Sequence, residues 1–424
     1  MSYEFVGEIE TITERQIEFV SEVLKKHKCT GSIVTVEAVG KKGDNYGAYV
    51  KRIKVEQEDG NEFKMIAKIA PANMILREQR PVNDFFANET LIYNELLPMF
   101  RKLQENFGVP DNDKFKFPIC YGTLDEPINE IILLEDLEPY NYVMLNKTEP
   151  LSDEIVKTVL KNLANFHSLS YVLRNKEPQV FDKFMGTLVN ASVNPKTMAQ
   201  TQMFFEHALN DLKSIFDKDR YKNTIDYVMQ HLVKTWMKLV SADKGSKYSV
   251  IQHGDLWTNN IMFQMQDGHP SGCILIDYQL SRDSVPVADI HNLIFSCTDY
   301  ATRSRHYYEW IDFYHSELDR YLQYYDLKVN YVYPRDKFDA DLKRYGKPAL
   351  GLALIMLNFT QRPVQEVPDL AAFEKIDGTN LPDSFKVGQL MDKTVGVIKE
   401  RIEGVIDSCF EYGYLADTTQ TNFM

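Results

Sequence analysis

No two cysteines stand close together in this chain. The five, at positions 29, 120, 273, 297 and 409, form no Cys-x-x-Cys pair and sit mostly in apolar surroundings. That argues against a zinc site or a disulfide framework and reads as reduced, buried thiols. Long apolar runs are missing too, since Ala349 to Leu357 falls well short of the roughly 18 residues that a membrane span needs. Positive charge is in deficit: 48 Lys and Arg against 61 Asp and Glu give a net charge of −13. A general nucleic-acid or anionic-membrane binder would demand the opposite balance. Met1 to Glu10 is acidic and has no apolar core before a small-residue cleavage site, so no secretory leader and a cytoplasmic location are expected. Without a leader, the glycosylation patterns at Asn88 and Asn146 carry no meaning. Repeats, low-complexity tracts and long disordered linkers are also absent.

What is present is length and apolar content: 424 residues, 44% hydrophobic, enough to bury a large core in two lobes or domains that share a cleft. The most informative stretch runs from His253 to Asn260. Ser249 to Gln252 and Ile261 to Gln264 flank it as short apolar, strand-like runs, then Asp267 to Gly272 reads as a turn and Cys273 to Ile276 as a buried strand ending at Asp277. A carboxylate at 255, a carboxamide at 260 and a second carboxylate at 277 are the groups phosphoryl transfer needs. A base (Asp255) accepts the proton of an attacking hydroxyl, and oxygen ligands (Asn260, Asp277) hold Mg2+ on the phosphates of ATP. The offset of five from Asp to Asn, with a metal-binding Asp shortly downstream, is the protein-kinase arrangement. Either Asp alone would read as a turn or a cap; the three together do not.

These residues carry a resemblance. His253-Gly254-Asp255 with Asn260 and Ile276-Asp277-Tyr278-Gln279 is similar to the aminoglycoside phosphotransferase and choline kinase branch of the kinase-like fold. Within that branch, Gln252 to Phe263 and Asp277-Tyr278-Gln279-Leu280-Ser281 most resemble the ecdysteroid kinase-like family of arthropods, over most of the chain. A protein kinase would have Arg at position 254 and Gly at 279, so a small-molecule substrate is implied. The resemblance implies an α+β, two-lobed, protein-kinase-like fold, with a small antiparallel-sheet N-lobe and a larger, mainly helical C-lobe. We place the nucleotide-binding lobe and hinge at residues 1–138 and the catalytic and substrate-binding lobe at 139–424, divided where the apolar run breaks near Pro139-Tyr140-Asn141.

In chain order, residues 13 to 28 have helical spacing, with Thr13 as cap. Ile33 to Val39, Tyr46 to Glu56 and Glu62 to Ile69 read as strands, the last two joined by a hairpin at Glu58 to Asn61. Gly40 to Gly47 has neither Walker nor Gly-x-Gly-x-x-Gly spacing, and spacing alone equally suits a hairpin turn. The resemblance makes Gly43-Asp44-Asn45-Tyr46 the nucleotide-covering loop. Lys68 lies in an apolar strand where a cation needs a partner, and Glu89, on a helix from about Val82 to Asn106, is the natural one. In kinase chemistry such a Lys holds phosphates and such a Glu orients it; the bland alternative is a snorkelling Lys and a solvated Glu. Phe115 to Thr123 and Glu130 to Glu135 read as two more strands, and Leu133 to Leu137 resembles the family's hinge.

Ser152 caps a helix to about Leu173, whose His167 reads as a structural, hydrogen-bonded group. By resemblance His253 braces its loop, and Asp289, in a helix over Val287 to Cys297, accepts hydrogen bonds from that loop's backbone. Further helices are expected at Thr201 to Phe216, Asp219 to Val240, Arg303 to Tyr325, Arg335 to Phe359 and Ser384 to Tyr412, with Gln361 to Pro382 the least regular part. The aromatics between Tyr307 and Tyr325 suit either a pocket or a core. The expectation is an ATP-dependent small-molecule kinase acting on an alcohol, an ecdysteroid or dietary toxin by resemblance, with no obligatory protein partner. The alternatives are a choline or aminoglycoside kinase and a catalytically silent binding protein of the same fold.

Overall fold

The computed structural model describes residues 3–41, 43–44, 47–190, 198–243, 245–368 and 382–415. Strand β1 (Glu4–Gly7) precedes helix α1 (Glu14–Lys26). Thr13 caps α1 reciprocally: its hydroxyl accepts from Gln16 N (3.2 Å), and Gln16 Oε1 accepts from Thr13 N (2.9 Å). Strands β2 (Ile33–Ala38), β3 (Tyr49–Glu56) and β4 (Glu62–Ile69) are antiparallel neighbours. The turn between β3 and β4 closes through Gly60 N to Gln57 O at 2.9 Å, with Gly60 at φ 81°. Helices α2 (Met74–Gln79), α3 (Val82–Leu91) and α4 (Leu97–Asn106) follow, then β5 (Cys120–Leu124) and β6 (Ile131–Glu135). These complete a six-stranded sheet in the order β1-β2-β3-β4-β6-β5.

Three details differ from the sequence reading. β1 pairs in parallel with β2 at the sheet edge, and its four mostly exposed residues offer no apolar alternation to read. The strand expected from Phe115 begins only at Cys120, beyond Pro118, which has no N–H for a ladder. The single helix expected from Val82 to Asn106 is interrupted by a π turn over Ile92–Leu96. Pro98 has no N–H to give the Asn94 carbonyl, and the wider turn absorbs that loss.

Sheet periodicity sorts β4 into two faces. Met65, Ala67 and Ile69 pack under α1 with Val20, Val23, Leu24, Ile53 and Leu133. The opposite parity, Ile66, Lys68 and Ala70, faces α3, where Ala70 joins Phe86, Ile92 and Leu96 in the main core. Lys68 therefore points at the helix that carries Glu89 because it is out of phase with the apolar set.

The C-terminal part is mainly helical. After β7 (Tyr142–Met144) come α5 (Asp153–Lys176), α6 (Pro178–Thr187), α7 (Met198–Lys213) and α8 (Asp219–Asp243). Strands β8 (Val250–Gln252), β9 (Ile261–Gln266), β10 (His269–Leu275) and β11 (Arg282–Ser284) form two small antiparallel sheets, β10-β9-β7 and β11-β8. Helices α9 (Val287–Cys297), α10 (Tyr300–Gln323), α11 (Val329–Val332), α12 (Arg335–Thr360) and α13 (Asp392–Glu411) close the chain. Ser152 caps α5 as expected, accepting from Ile155 N. The helix expected from Ser384 starts at Asp392, since residues 383–385 form a 3-10 turn. Of the irregular stretch expected over 361–382, residues 369–381 lie outside the described residues. Tyr307, Trp310, Tyr314 and Tyr321 are buried between α10 and its neighbours, so most of the aromatic stripe is core. The result is a mixed α+β protein, with an antiparallel-rich sheet in its N-terminal region and helices in its C-terminal part. Among the described residues, no helix is long and apolar enough to cross a membrane.

Candidate active site

Lys68 and Glu89 meet between β4 and α3. The ammonium of Lys68 donates to Glu89 Oε2 at 2.5 Å and, across to the C-terminal part, to Asp277 Oδ1 at 2.8 Å. Burial acts to lower the pKa of Lys68, but the Asp277 and Glu89 carboxylates outweigh it and hold the amine above its ordinary range. A buried cation between two carboxylates is neither a snorkelling surface Lys nor a solvated Glu. Burial pushes the Glu89 carboxyl up, opposed by Lys68. Asp277 sits just past β10 at φ 66°, a left-handed conformation that Asp tolerates better than most residues. Tyr278 after it is fully buried, in ring contact with His253 (4.9 Å), Tyr93 (5.6 Å) and Phe166 (5.9 Å), with its hydroxyl on Leu275 O at 3.2 Å.

Asp255 and Asn260 face each other across the turn between β8 and β9. Asn260 Nδ2 donates to the Asp255 carbonyl (2.8 Å) and to its carboxylate (3.1 Å). Burial, then the nearby charge of Asp277, pushes the Asp255 carboxyl up to about 7, against the opposing Asn260 hydrogen bond. A carboxylate poised near neutral pH is suited to accept a proton.

The loop is held from behind. Asp289, in the first turn of α9, accepts from His253 N (2.7 Å) and Gly254 N (2.8 Å). His167 Nε2 lies 3.1 Å from the same carboxylate, and its Nδ1 lies 2.8 Å from the Tyr314 hydroxyl, so His167 is structural. His253 Nε2 sits 2.9 Å from Ile276 O, while its Nδ1 accepts from Asp255 N at 3.3 Å. That pairing fixes the tautomer, and burial lowers the His253 pKa, keeping the ring neutral. At φ 87°, Gly254 passes so close to β11's approach that a Cβ there would lie 2.1 Å from Leu280 O. Only glycine fits.

The Gly43 loop reaches this group from the other side. Asp44 Oδ1 accepts from Asn259 Nδ2 (3.1 Å), next to Asn260, and Gly43 O accepts from the buried Lys147 Nζ (2.5 Å). Asn45 and Tyr46 lie outside the described residues. The structure thus gathers Lys68, Glu89, Asp255, Asn260 and Asp277, with Asp44 reaching the group through Asn259 and Gly43 held by Lys147. Sequence reading omits Lys147, Asn259 and Arg80. Burial lowers the Arg80 pKa to about 10, opposed by the charge of Asp255, which places this guanidinium within electrostatic reach of the 255 carboxylate. Lys147 and Arg80 carry no local signal, each being a single polar residue in a loop or turn, while Asn259 lies within the His253 to Asn260 stretch, where the offset of five from Asp255 singles out Asn260 instead. Beside the end of β6, Leu137, Tyr142 and Ile274 form a separate small core, with Met262 and Ile276 packed on it and partly open.

Comparison with known proteins agrees with the motif. The sequence model of the ecdysteroid kinase-like family matches residues 42–327. No curated protein matches the chain. Among solved structures, an ethanolamine kinase from Plasmodium vivax is similar at 14% identity and a TM-score of 0.39, over 90% of this chain and 83% of that one. The GDP complex of wild-type aminoglycoside 2'-phosphotransferase-IIIa is similar at 12% identity and a TM-score of 0.42, over 92% and 99%.

Proposed function

The chain belongs to the ecdysteroid kinase-like family, and on that premise we propose that it is an ATP-dependent kinase that phosphorylates a hydroxyl of a small-molecule alcohol. The observation that carries this reading is the Lys68 ammonium bridging Glu89 and Asp277, with the Asp255 carboxylate held by Asn260 nearby. We place the division of labour near residue 138, with the sheet side holding the nucleotide and the helical side holding the acceptor.

The donor set fits magnesium, a hard cation that prefers oxygen. Asp277 commits Oδ1 to Lys68, which leaves Oδ2, and Asn260 commits its amide nitrogen to Asp255, which leaves Oδ1. Asn260 and Asp277 would hold the ion, which supplies charge neutralisation at the nucleotide phosphates. Lys68, oriented by Glu89, binds phosphate oxygens, and Arg80 adds a cation on the Asp255 side. Met262 and Ile276 offer an apolar floor for a base ring. The Gly43 loop covers the phosphates with backbone amides. Asp255 accepts the proton of the acceptor hydroxyl as its oxygen attacks the γ-phosphorus, while the bond from that phosphorus to the β-phosphate oxygen breaks and ADP leaves. The family suggests an ecdysteroid or a dietary toxin as acceptor.

The test is transfer of labelled phosphate from MgATP to a panel of ecdysteroids, plant-derived alcohols, choline and aminoglycosides, with Asp255→Asn as control. A labelled product that the control fails to make supports the kinase and names its acceptor class. Tight MgATP binding with no product on the panel or on a metabolite extract would favour a silent binding protein instead.

A further inference from the structure

Asn88, the neighbour of Glu89 on α3, is almost fully buried at 1% exposure, and no feature of phosphate chemistry calls for it. Its side chain forms a two-point pair with the peptide of Val189, just past α6. Nδ2 donates to Val189 O at 2.7 Å, and Oδ1 accepts from Val189 N at 2.9 Å. The same Nδ2 also lies 3.2 Å from Gln279 O and 3.4 Å from Ser281 O, both in the loop that follows Asp277. One amide group has two hydrogens; here three carbonyls from two separate segments compete for them. Movement of the metal loop must therefore redistribute those hydrogens and change the hold on Val189.

The arrangement joins three pieces of the site at one side chain. Glu89 and Asn88 are consecutive, so any shift of α3 that strains the Glu89–Lys68 pair moves Asn88 as well. The loop of Asp277 is anchored by Gln279 and Ser281. Val189 lies two residues past the end of α6. A buried carboxamide with satisfied bonds to both segments is costly to pull from either.

We infer that Asn88 is a positioning residue that couples occupation of the metal loop by a magnesium nucleotide to the hold on the Val189 peptide. The inference rests on the kinase reading above. It requires that the coupling run both ways, since linkage is reciprocal.

Hydrogen exchange at Val189 and magnesium-dependent nucleotide binding, measured on the full chain, test it. In the wild type, MgATP slows exchange at the Val189 amide by at least about fivefold, the lower end of coupling between sites. In Asn88→Ala the slowing disappears and the magnesium concentration for half-maximal nucleotide binding rises by a similar factor. Asn94→Ala serves as control: it removes a 2.7 Å bond to Thr123 Oγ1 farther along the same run of helix and leaves both readouts unchanged. A merely structural Asn88 would lower the melting temperature without altering the magnesium requirement. The wild-type exchange measurement needs no variant, so poor folding of Asn88→Ala does not shelter the idea. Exchange at Val189 indifferent to MgATP, or an Asn88→Ala response equal to wild type, overturns the coupling alone. Failure of the wild type to bind nucleotide with magnesium overturns the kinase reading, and the coupling with it.

Discussion

The ammonium of Lys68 lies 2.8 Å from Asp277, a residue 209 positions later in the chain, and 2.5 Å from Glu89 on the adjacent helix. Removing the cation leaves the buried Glu89 carboxylate facing Asp277, whose side chain keeps 21% exposure, so the loss falls toward the lower end of the roughly 3–5 kcal/mol that breaking a fully buried pair costs. Lys68→Met is therefore expected to lose stability on that scale in denaturant titration at pH 8 and to bind nucleotide weakly. Part of the loss returns at lower pH, where one of the stranded carboxyls takes up a proton. A Lys68→Met protein as stable as wild type at pH 8 would contradict the buried pair.

Activity should follow the protonation of Asp255. Burial, then the Asp277 charge, pushes its carboxyl up to about 7, and only the ionised form can take a proton. The pH profile of kcat/KM should rise through an apparent pKa near 7, and Asp255→Asn should lower turnover by about 10²–10⁴-fold while retaining MgATP binding. A profile flat from pH 5.5 to 8.5 would remove Asp255 from the role of base.

The same shift has a consequence for stability, with the opposite sign. A carboxyl whose pKa is raised on folding, from about 3.9 when unfolded, binds its proton more tightly in the folded state. Stability therefore falls as pH rises from the unfolded to the folded value and levels off above it. In the absence of magnesium, Asp255→Asn should be more stable than wild type above pH 7, with the gap narrowing as pH falls toward 4. A gap independent of pH would be the contrary outcome.

Asp289 offers a test of the loop's support. Burial would raise its pKa, but the His167 hydrogen bond and charge, with the Gly254 N–H, hold the carboxyl below its ordinary value. Asp289→Ala strands the amides of His253 and Gly254, at about 1–3 kcal/mol for each buried donor left without an acceptor. Loss of stability in denaturant titration should accompany loss of transfer. Because the pKa is depressed, the contribution of Asp289 is present above its unfolded pKa and fades as pH drops through its folded one.

Gly254→Ala should fail outright. The new methyl would lie 2.1 Å from a backbone carbonyl at a φ of 87°, and neither strain can relax without moving the loop. A soluble, active Gly254→Ala protein would mean that the loop adopts another path.

Much of this was legible in the chain because periodicity and spacing are local. The alternation of β4, the capping residues Thr13 and Ser152, and the interval from Asp255 to Asn260 all lie within a few residues of one another. Lys68 and Glu89 could be paired because a cation in an apolar strand demands a carboxylate. The partners of Asn88, Lys147 and Asp289 could not be read in the same way. Asn88 and Lys147 bond to backbone atoms about 100 residues away, and a peptide carbonyl has no side-chain signature. The role of Asp289 came by resemblance, and the geometry at His253 and Gly254 matches it. β1 and the π turn at Ile92–Leu96 escaped because a four-residue edge strand and a one-residue change of register barely alter the hydrophobic pattern.

The buried phenol of Tyr278 bears on how a compound could block the site. A compound that drives the residue after Asp277 out of its seat would have to empty a cluster shared with His253, Tyr93 and Phe166. Vacating an aromatic seat of that kind costs about 3–5 kcal/mol, a handicap of two to four orders of magnitude in affinity. Selective compounds are better sought on the open side of Asp277 than in the buried cluster behind it.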